Sequence, residues 1–199
     1  HTSYTLMARI TLDITGNLKG AISKRREKVL SKIDDELNTF GISTVAMAQR
    51  LCPVDEGHLR NSISFTPVKK EGSTRYVDIV VATDYAAYVE FGTRKFAANY
   101  VATLPQEWRA MAAEHKGKAG GTLSEFIQRI MAWVQRKGIG AHKTKSGNVS
   151  TSKNSYAAMQ QAAYAIALNI LQNGVKQQPF LYPAFRKNRK RLISNLKNI

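Results

Sequence analysis

The hydrophobic positions change period along the chain, and each change predicts an element. Ile10, Leu12 and Ile14 alternate with polar residues over 8–15, which predicts a strand. Gly16-Asn17 then signals a turn. Leu30, Ile33, Leu37, Phe40, Thr44, Ala48 and Leu51 recur at steps of three and four, so a long helix is predicted over 18–51. Gly41 is a kink or a close-packing point in it. Pro53 stops it, because proline lacks the N–H and disfavours helical geometry at Cys52. "LRNSISFTPVKK" and "TRYVDIVVAT" then predict two antiparallel strands over 59–83, turned at "KKEGS". In the second strand Val77, Ile79 and Val81 alternate with Tyr76, Asp78 and Val80. Asp84 as N-cap and Gly92 as C′ residue frame a short helical turn.

The pattern is looser over 94–154. Within it Thr122-x-x-Glu125 is a capping box, followed by Phe126, Ile127, Ile130, Trp133 and Val134 at helical spacing up to Gly138. Residues 138–154 are Gly, Ser, Lys and Thr with few apolar side chains and predict a mobile loop. An alanine-rich helix is predicted over 155–172, ended by Asn173-Gly174. "QQPFLYPAF" reads as extended because of Pro179 and Pro183. The last helix, over 186–198, places Leu192, Ile193 and Leu196 on one side.

The chain has 199 residues, which suits a single domain or a domain with a large insertion. No apolar run approaches the ~20 residues of a membrane span. Met7 reads as a native start, with residues 1–6 an added leader. Cys52 is the one cysteine, which excludes an intramolecular disulfide and predicts synthesis in a reducing cytosol. The net charge is +16 and is unevenly spread. All fourteen acidic residues lie between Asp13 and Glu125, whereas 126–199 hold thirteen Lys and Arg and no acid. That asymmetry points to a polyanionic partner or an acidic protein surface. Five of the six residues over 186–191 are basic: Arg186, Lys187, Arg189, Lys190 and Arg191. They are the candidate contacts for DNA or an acidic partner.

Tests for chemistry give little. His1, His58, His115 and His142 are scattered, and no CxxC or HxxxH spacing exists, so no metal site and no cofactor is expected. Phosphate-cradling glycine motifs are missing. "KAGGT" at 118–122 has the glycines of an anion site and equally of a hinge. Cys52, before a proline and after an apolar stripe, reads as a buried inert thiol. Asp55, Glu56 and Glu90 are the carboxylates a metal-dependent nuclease would need, but nothing in their spacing demands one. Glu90, set among Tyr85, Tyr88 and Phe91, is expected to reach a backbone amide or an arginine such as Arg60 or Arg94. No catalytic residue is assigned.

Three short blocks in fixed order carry a resemblance. The first is "CPVDEGHLRNSI" at 52–63, with Pro53, Asp55, Gly57, Leu59, Arg60, Ser62 and Ile63 fitting the pattern. The second is "DYAAYVEFGT" at 84–93, with Tyr85, Ala86, Tyr88, Glu90, Gly92 and Thr93. The third is "QPFLYPAF" at 178–185, with Pro179, Phe180, Leu181, Pro183 and Ala184. Together they resemble the tailed-phage neck and tail-completion family, the lambdoid gene-product-ten-like minor structural proteins.

The resemblance covers 8–93 and 175–199, and leaves 94–174 as an inserted, largely helical region. It implies an α+β fold, with the long N-terminal helix packed on an antiparallel β-sheet and a basic C-terminal helix. It implies a non-enzymatic virion protein of the neck or tail, made in the host cytoplasm and acting in head–tail joining or tail completion. Its partners would be other neck or tail proteins, in a homo-oligomeric ring, with non-specific DNA contact through the basic helix. The tight turn at Asp55 and Gly57 is expected to set where Leu59 enters the first strand. The alternative is a basic nucleic-acid-binding module built on the same C-terminal helix.

Overall fold

The structure is a computed structural model and describes residues 6–13, 23–116, 122–141, 146 and 153–199. The described residues form an α+β protein with an antiparallel sheet and eight helices. They divide into two compact units, 1–92 with 177–199 and 93–176.

In the first unit, strand β1 (Leu6–Asp13) pairs antiparallel with β4 (Thr74–Val81) along its whole length. On the other side of β4 lie β2 (Ile63–Phe65) and β3 (Lys69–Glu71), end to end. The sequence predicts one continuous strand here, and the structure breaks it. Phe65 faces Ile79 and Lys69 faces Tyr76, so 66–68 oppose only 77 and 78, a one-residue bulge around Pro67. Proline has no N–H to give the ladder, so the strand yields at that point. The neighbouring groups find other partners: Thr66 N–H donates to Asp78 O at 2.9 Å and Val68 N–H to Asn38 Oδ1 at 3.2 Å. Glu71 pairs with Thr74, so the hairpin turn is Gly72-Ser73 alone. Gly72 has φ 60°, the sign that a primed two-residue turn requires at its first position.

Helix α1 (Ser23–Leu51) lies on one face of the sheet. Its expected start at residue 18 falls outside the described residues. Leu37, Phe40, Thr44 and Ala48 are buried as the period predicts, against Val77, Ile79 and Val81 among others. Leu51 departs from the stripe and is 44% exposed, because the helix ends there beyond the sheet-covered turns. Gly41 is a close-packing point: a Cβ there would collide with the Phe65 ring. Arg75 Nε reaches Asp34 of α1 at 2.8 Å, and Lys70 Nζ meets the same carboxylate at 2.8 Å.

On the other face of the sheet charged side chains lie over Tyr76 and Asp78. Asp78 is buried beneath Arg9 Nε at 2.6 Å and Lys69 Nζ at 3.8 Å. The Arg9 guanidinium also lies 4.0 Å from the centre of the Tyr76 ring.

Helix α2 (His58–Asn61) and α3 (Ala86–Phe91) are short. Helix α8 (Leu181–Leu196) runs antiparallel along α1, since Glu36 meets Asn195 while Phe40 meets Phe185 edge-on at 5.4 Å. It starts five residues earlier than the prolines suggest. Pro183 sits in the first turn, where the missing N–H has no intrahelical partner in any case. Leu192 is buried in this helix, whereas Ile193 is 42% exposed rather than on the apolar side.

The second unit is helical. Helices α4 (Arg94–Val101) and α5 (Gln106–Glu114) appear where the sequence shows no clear period, because both are short and mostly exposed. Helix α6 (Leu123–Lys137) carries the predicted capping box: Glu125 N–H donates to Thr122 Oγ1 at 3.3 Å and Thr122 N–H to Glu125 Oε2 at 2.8 Å. Helix α7 (Lys153–Asn173) packs on α6 through Val134, Met159 and Ala163. Most of the predicted loop over 138–154 and the "KAGGT" glycines fall outside the described residues.

Candidate functional site

Within the first unit the three motif blocks meet around one buried carboxyl group. Block one is local backbone chemistry. Gly57 has φ 85° and accepts the N–H of Asn61 at 2.9 Å, while Ser62 Oγ donates to Leu59 O at 2.8 Å. These bonds make 58–61 a helical turn, so Leu59 is buried on α2 and the strand starts only at Ile63. Cys52 Sγ donates to Pro53 O at 3.4 Å, and burial pushes its thiol above the ordinary value. Asp55 and Arg60 are exposed and Pro53 is half-buried.

Block two is α3. Ala86, Ala87, Glu90 and Phe91 form its buried face. Tyr85 occupies the N-cap position with no side-chain cap, so the predicted capping role of Asp84 is not used. Tyr85 is 45% exposed, and Tyr88 is half-buried, so of the three aromatic residues only Phe91 is a full core residue. Burial pushes the Tyr85 hydroxyl above its ordinary value and the Leu59 backbone facing it opposes the shift, so block one lies beside block two. Gly92 closes α3 with φ 74°.

Block three is the start of α8, and Glu90 holds it. Glu90 Oε2 accepts the N–H groups of Phe180 and Leu181, each at 2.8 Å, and Oε1 accepts that of Tyr182 at 3.0 Å. The next residue is Pro183, which has no N–H. Every unsatisfied donor of the first turn of α8 is thus met by one side chain about ninety residues away. Val89 O accepts the N–H of Gln178 at 2.8 Å beside it. Phe180 and Leu181 are fully buried. Burial pushes the Glu90 carboxyl above the ordinary range; the three backbone N–H groups pull it down, and burial outweighs them.

The expectation that Glu90 meets an amide or an arginine resolves to amides. The expectation of an extended 179–183 arm is corrected: the segment turns into helix at Leu181 because its N–H groups are capped from outside. Sequence reasoning missed these donors. The readable signal was a helix start without a Ser, Thr, Asp or Asn cap, next to a glutamate stranded among apolar residues.

Thr93, the last motif residue, belongs to the second unit. Its N–H donates to Val175 O at 2.9 Å and its Oγ1 accepts the Val175 N–H at 2.7 Å. Arg186, Lys187, Arg189, Lys190 and Arg191 are all exposed on α8, and none forms an ion pair with another described residue.

Of the candidate reactive groups Glu90 and Cys52 are buried in the fold, Asp55 and Glu56 are exposed, and two further carboxylates are held in ion pairs. Glu90 caps a helix, Asp78 pairs with Arg9, Asp34 pairs with Arg75 and Lys70, and Cys52 is buried. Among the described residues no cluster of three or more His, Cys, Asp or Glu could hold a metal ion, and no helix is long and apolar enough to cross a membrane. Residues 16–92 match the family HK97-gp10_like, described as "Bacteriophage HK97-gp10, putative tail-component". The match supports a structural role in a phage tail and spans the first motif block and nearly all of the second. No curated protein and no solved structure matches the chain.

Proposed function

We propose that this protein acts in head–tail joining or tail completion during virion assembly, by binding other neck or tail proteins and without catalysis. One observation carries the reading. Glu90, at the centre of the second motif block, joins that block to the third by capping α8, and the block lies in the stretch that matches a phage tail component. A carboxyl saturated by three backbone donors is an anchor. Residues 94–174, nearly all of the second unit, are read as an insertion that this chain adds to the family core, and a homo-oligomeric ring is the expected assembled form. A phage lacking the gene should make heads and tails that fail to join or mature, with infectivity restored by the intact gene in trans. Normal infectious particles without the gene would end the proposal.

A second reading rests on α8. Its five exposed cations form no ion pair among the described residues, which suits contact with DNA or an acidic neighbour. Neutralising them should lower DNA affinity and flatten its salt dependence by about 0.9 logarithmic units for each phosphate no longer neutralised. No DNA binding at low salt would leave an acidic protein surface as the partner.

A further inference from the structure

Helix α7 offers a surface that neither motif nor charge accounts for. Residues 154–175 contain no charged side chain, although 22% of the chain is charged and about five would be expected in 22 residues. Burial along α7 repeats every four residues. Ser155, Met159, Ala163 and Ala167 are buried. The two rows beside them are exposed throughout: Tyr156, Gln160, Tyr164 and Leu168 in one, Ala157, Gln161, Ala165 and Asn169 in the other. Tyr156, Tyr164 and Leu168 are 47%, 55% and 39% exposed. An ordinary solvent-facing helix side carries Lys, Glu and Arg, and this one presents two tyrosines and a leucine.

The two rows differ in height. The first is a ridge of large side chains along i, i+4, i+8 and i+12. The second is a shallow row, with alanines at 157 and 165, running parallel to it. Helices pack by setting the i±4 ridge of one into the i±4 groove of the other. This face supplies both parts, so it is complementary to itself and suits an isologous pair.

Charge selects the same occupant. The chain carries +16, so two copies repel each other over most of their surfaces. An uncharged helix face is where they can approach without that penalty. DNA or an acidic protein would be recognised by cations, which this face lacks.

We infer that the exposed face of α7 binds the same face of a second copy, the ridge of each seated on the alanine row of the other. The inference goes beyond the assembly reading above: an isologous pair closes at two copies, so this surface in 93–176, outside the family match, is a contact additional to those that would close a ring. It rests on that reading only for the setting and is tested on the purified full chain, so either can fail alone.

Sedimentation velocity of the full chain should show a dimer whose association is unchanged or strengthened in high salt, because screening removes repulsion between basic bodies. The double variant Tyr164→Glu, Leu168→Glu should keep its circular dichroism and melting temperature, since both positions are exposed. Its Kd for self-association should rise roughly a hundredfold, the effect of unpaired charge in an interface. The new glutamates lower the net charge, so the loss could not come from stronger repulsion between the two bodies as a whole. Gln161→Cys should form a disulfide-linked dimer under mild oxidation, and Lys190→Cys on α8 should not. Three results would overturn the inference: a wild-type chain monomeric at its highest soluble concentration, an unchanged mass distribution in the double variant, or equal cross-linking at both cysteines.

Discussion

In the first unit the segments that meet are far apart in sequence: Glu90 with 180–182, Glu36 with Asn195, Asp34 with Arg75, Arg9 with Asp78. In the second, Val134, Met159 and Ala163 from two helices consecutive in sequence form a buried cluster, with half-buried Ile130, Trp133, Ile139 and Ile166 around them. Distant segments lose more chain entropy when they meet, and loop closure must be offset by the interactions it permits. The first unit offsets it with a full apolar layer between α1 and the sheet and with polar bonds that fix register. Among the described residues the second packs consecutive helices α6 and α7 through a smaller buried cluster and ties its ends by the Thr93–Val175 bonds, the pattern of a region that opens at lower free energy. The difference teaches where fold specificity resides in this chain: in a few buried polar anchors of the first unit.

Both tryptophans, Trp108 and Trp133, lie in the second unit, so their fluorescence reports that unit while circular dichroism reports both. Glu90→Ala should have the largest effect. It leaves three buried N–H groups without an acceptor and should destabilise the first unit by about 3–5 kcal/mol. Denaturant unfolding should show an early circular dichroism transition with the tryptophan transition unmoved; coincident shifts would mean that the two units unfold as one. Glu90→Gln keeps one acceptor oxygen and should cost about half as much.

Gly41→Leu should follow, at about 2 kcal/mol, because the added side chain must displace the Phe65 ring from α1. Full stability in that variant would show that the ring has room to turn. Thr122→Ala should cost about 1 kcal/mol, through loss of the α6 cap, and should move the tryptophan transition only. A shift in the first unit instead would contradict the division drawn above.

The pH dependence gives the finest test. The folded protein holds the Glu90 proton more tightly than the unfolded chain does, since burial raises its pKa. The Glu90 term is therefore fully present below the ordinary glutamate value of about 4.3 and is lost as pH rises through the raised folded value. The stability of the wild type relative to Glu90→Gln should fall over that window as pH increases. A difference that rises with pH there would show that the three amides outweigh burial.

Much of this was legible in the residues themselves. The 3–4 spacing of Leu37, Phe40, Thr44 and Ala48 determined the buried stripe of α1, because only a helix brings those positions to one side. Alternation did the same for Val77, Ile79 and Val81, and the Thr122-Glu125 pair for the start of α6. These are local patterns, set by geometry within a few residues. The first motif block and nearly all of the second lie within 16–92, the stretch with the tail-component likeness, and the third lies outside it.

Tertiary structure alone decided the rest. Pro67 turned one strand into two because only pairing with β4 makes a missing N–H matter. Leu181 became helical because a carboxyl from α3 caps it, and no rule for extended prolines contains that donor–acceptor match. Glu90 itself could be singled out from sequence, but its role could not, since a buried carboxyl is defined by what the fold places within hydrogen-bonding reach.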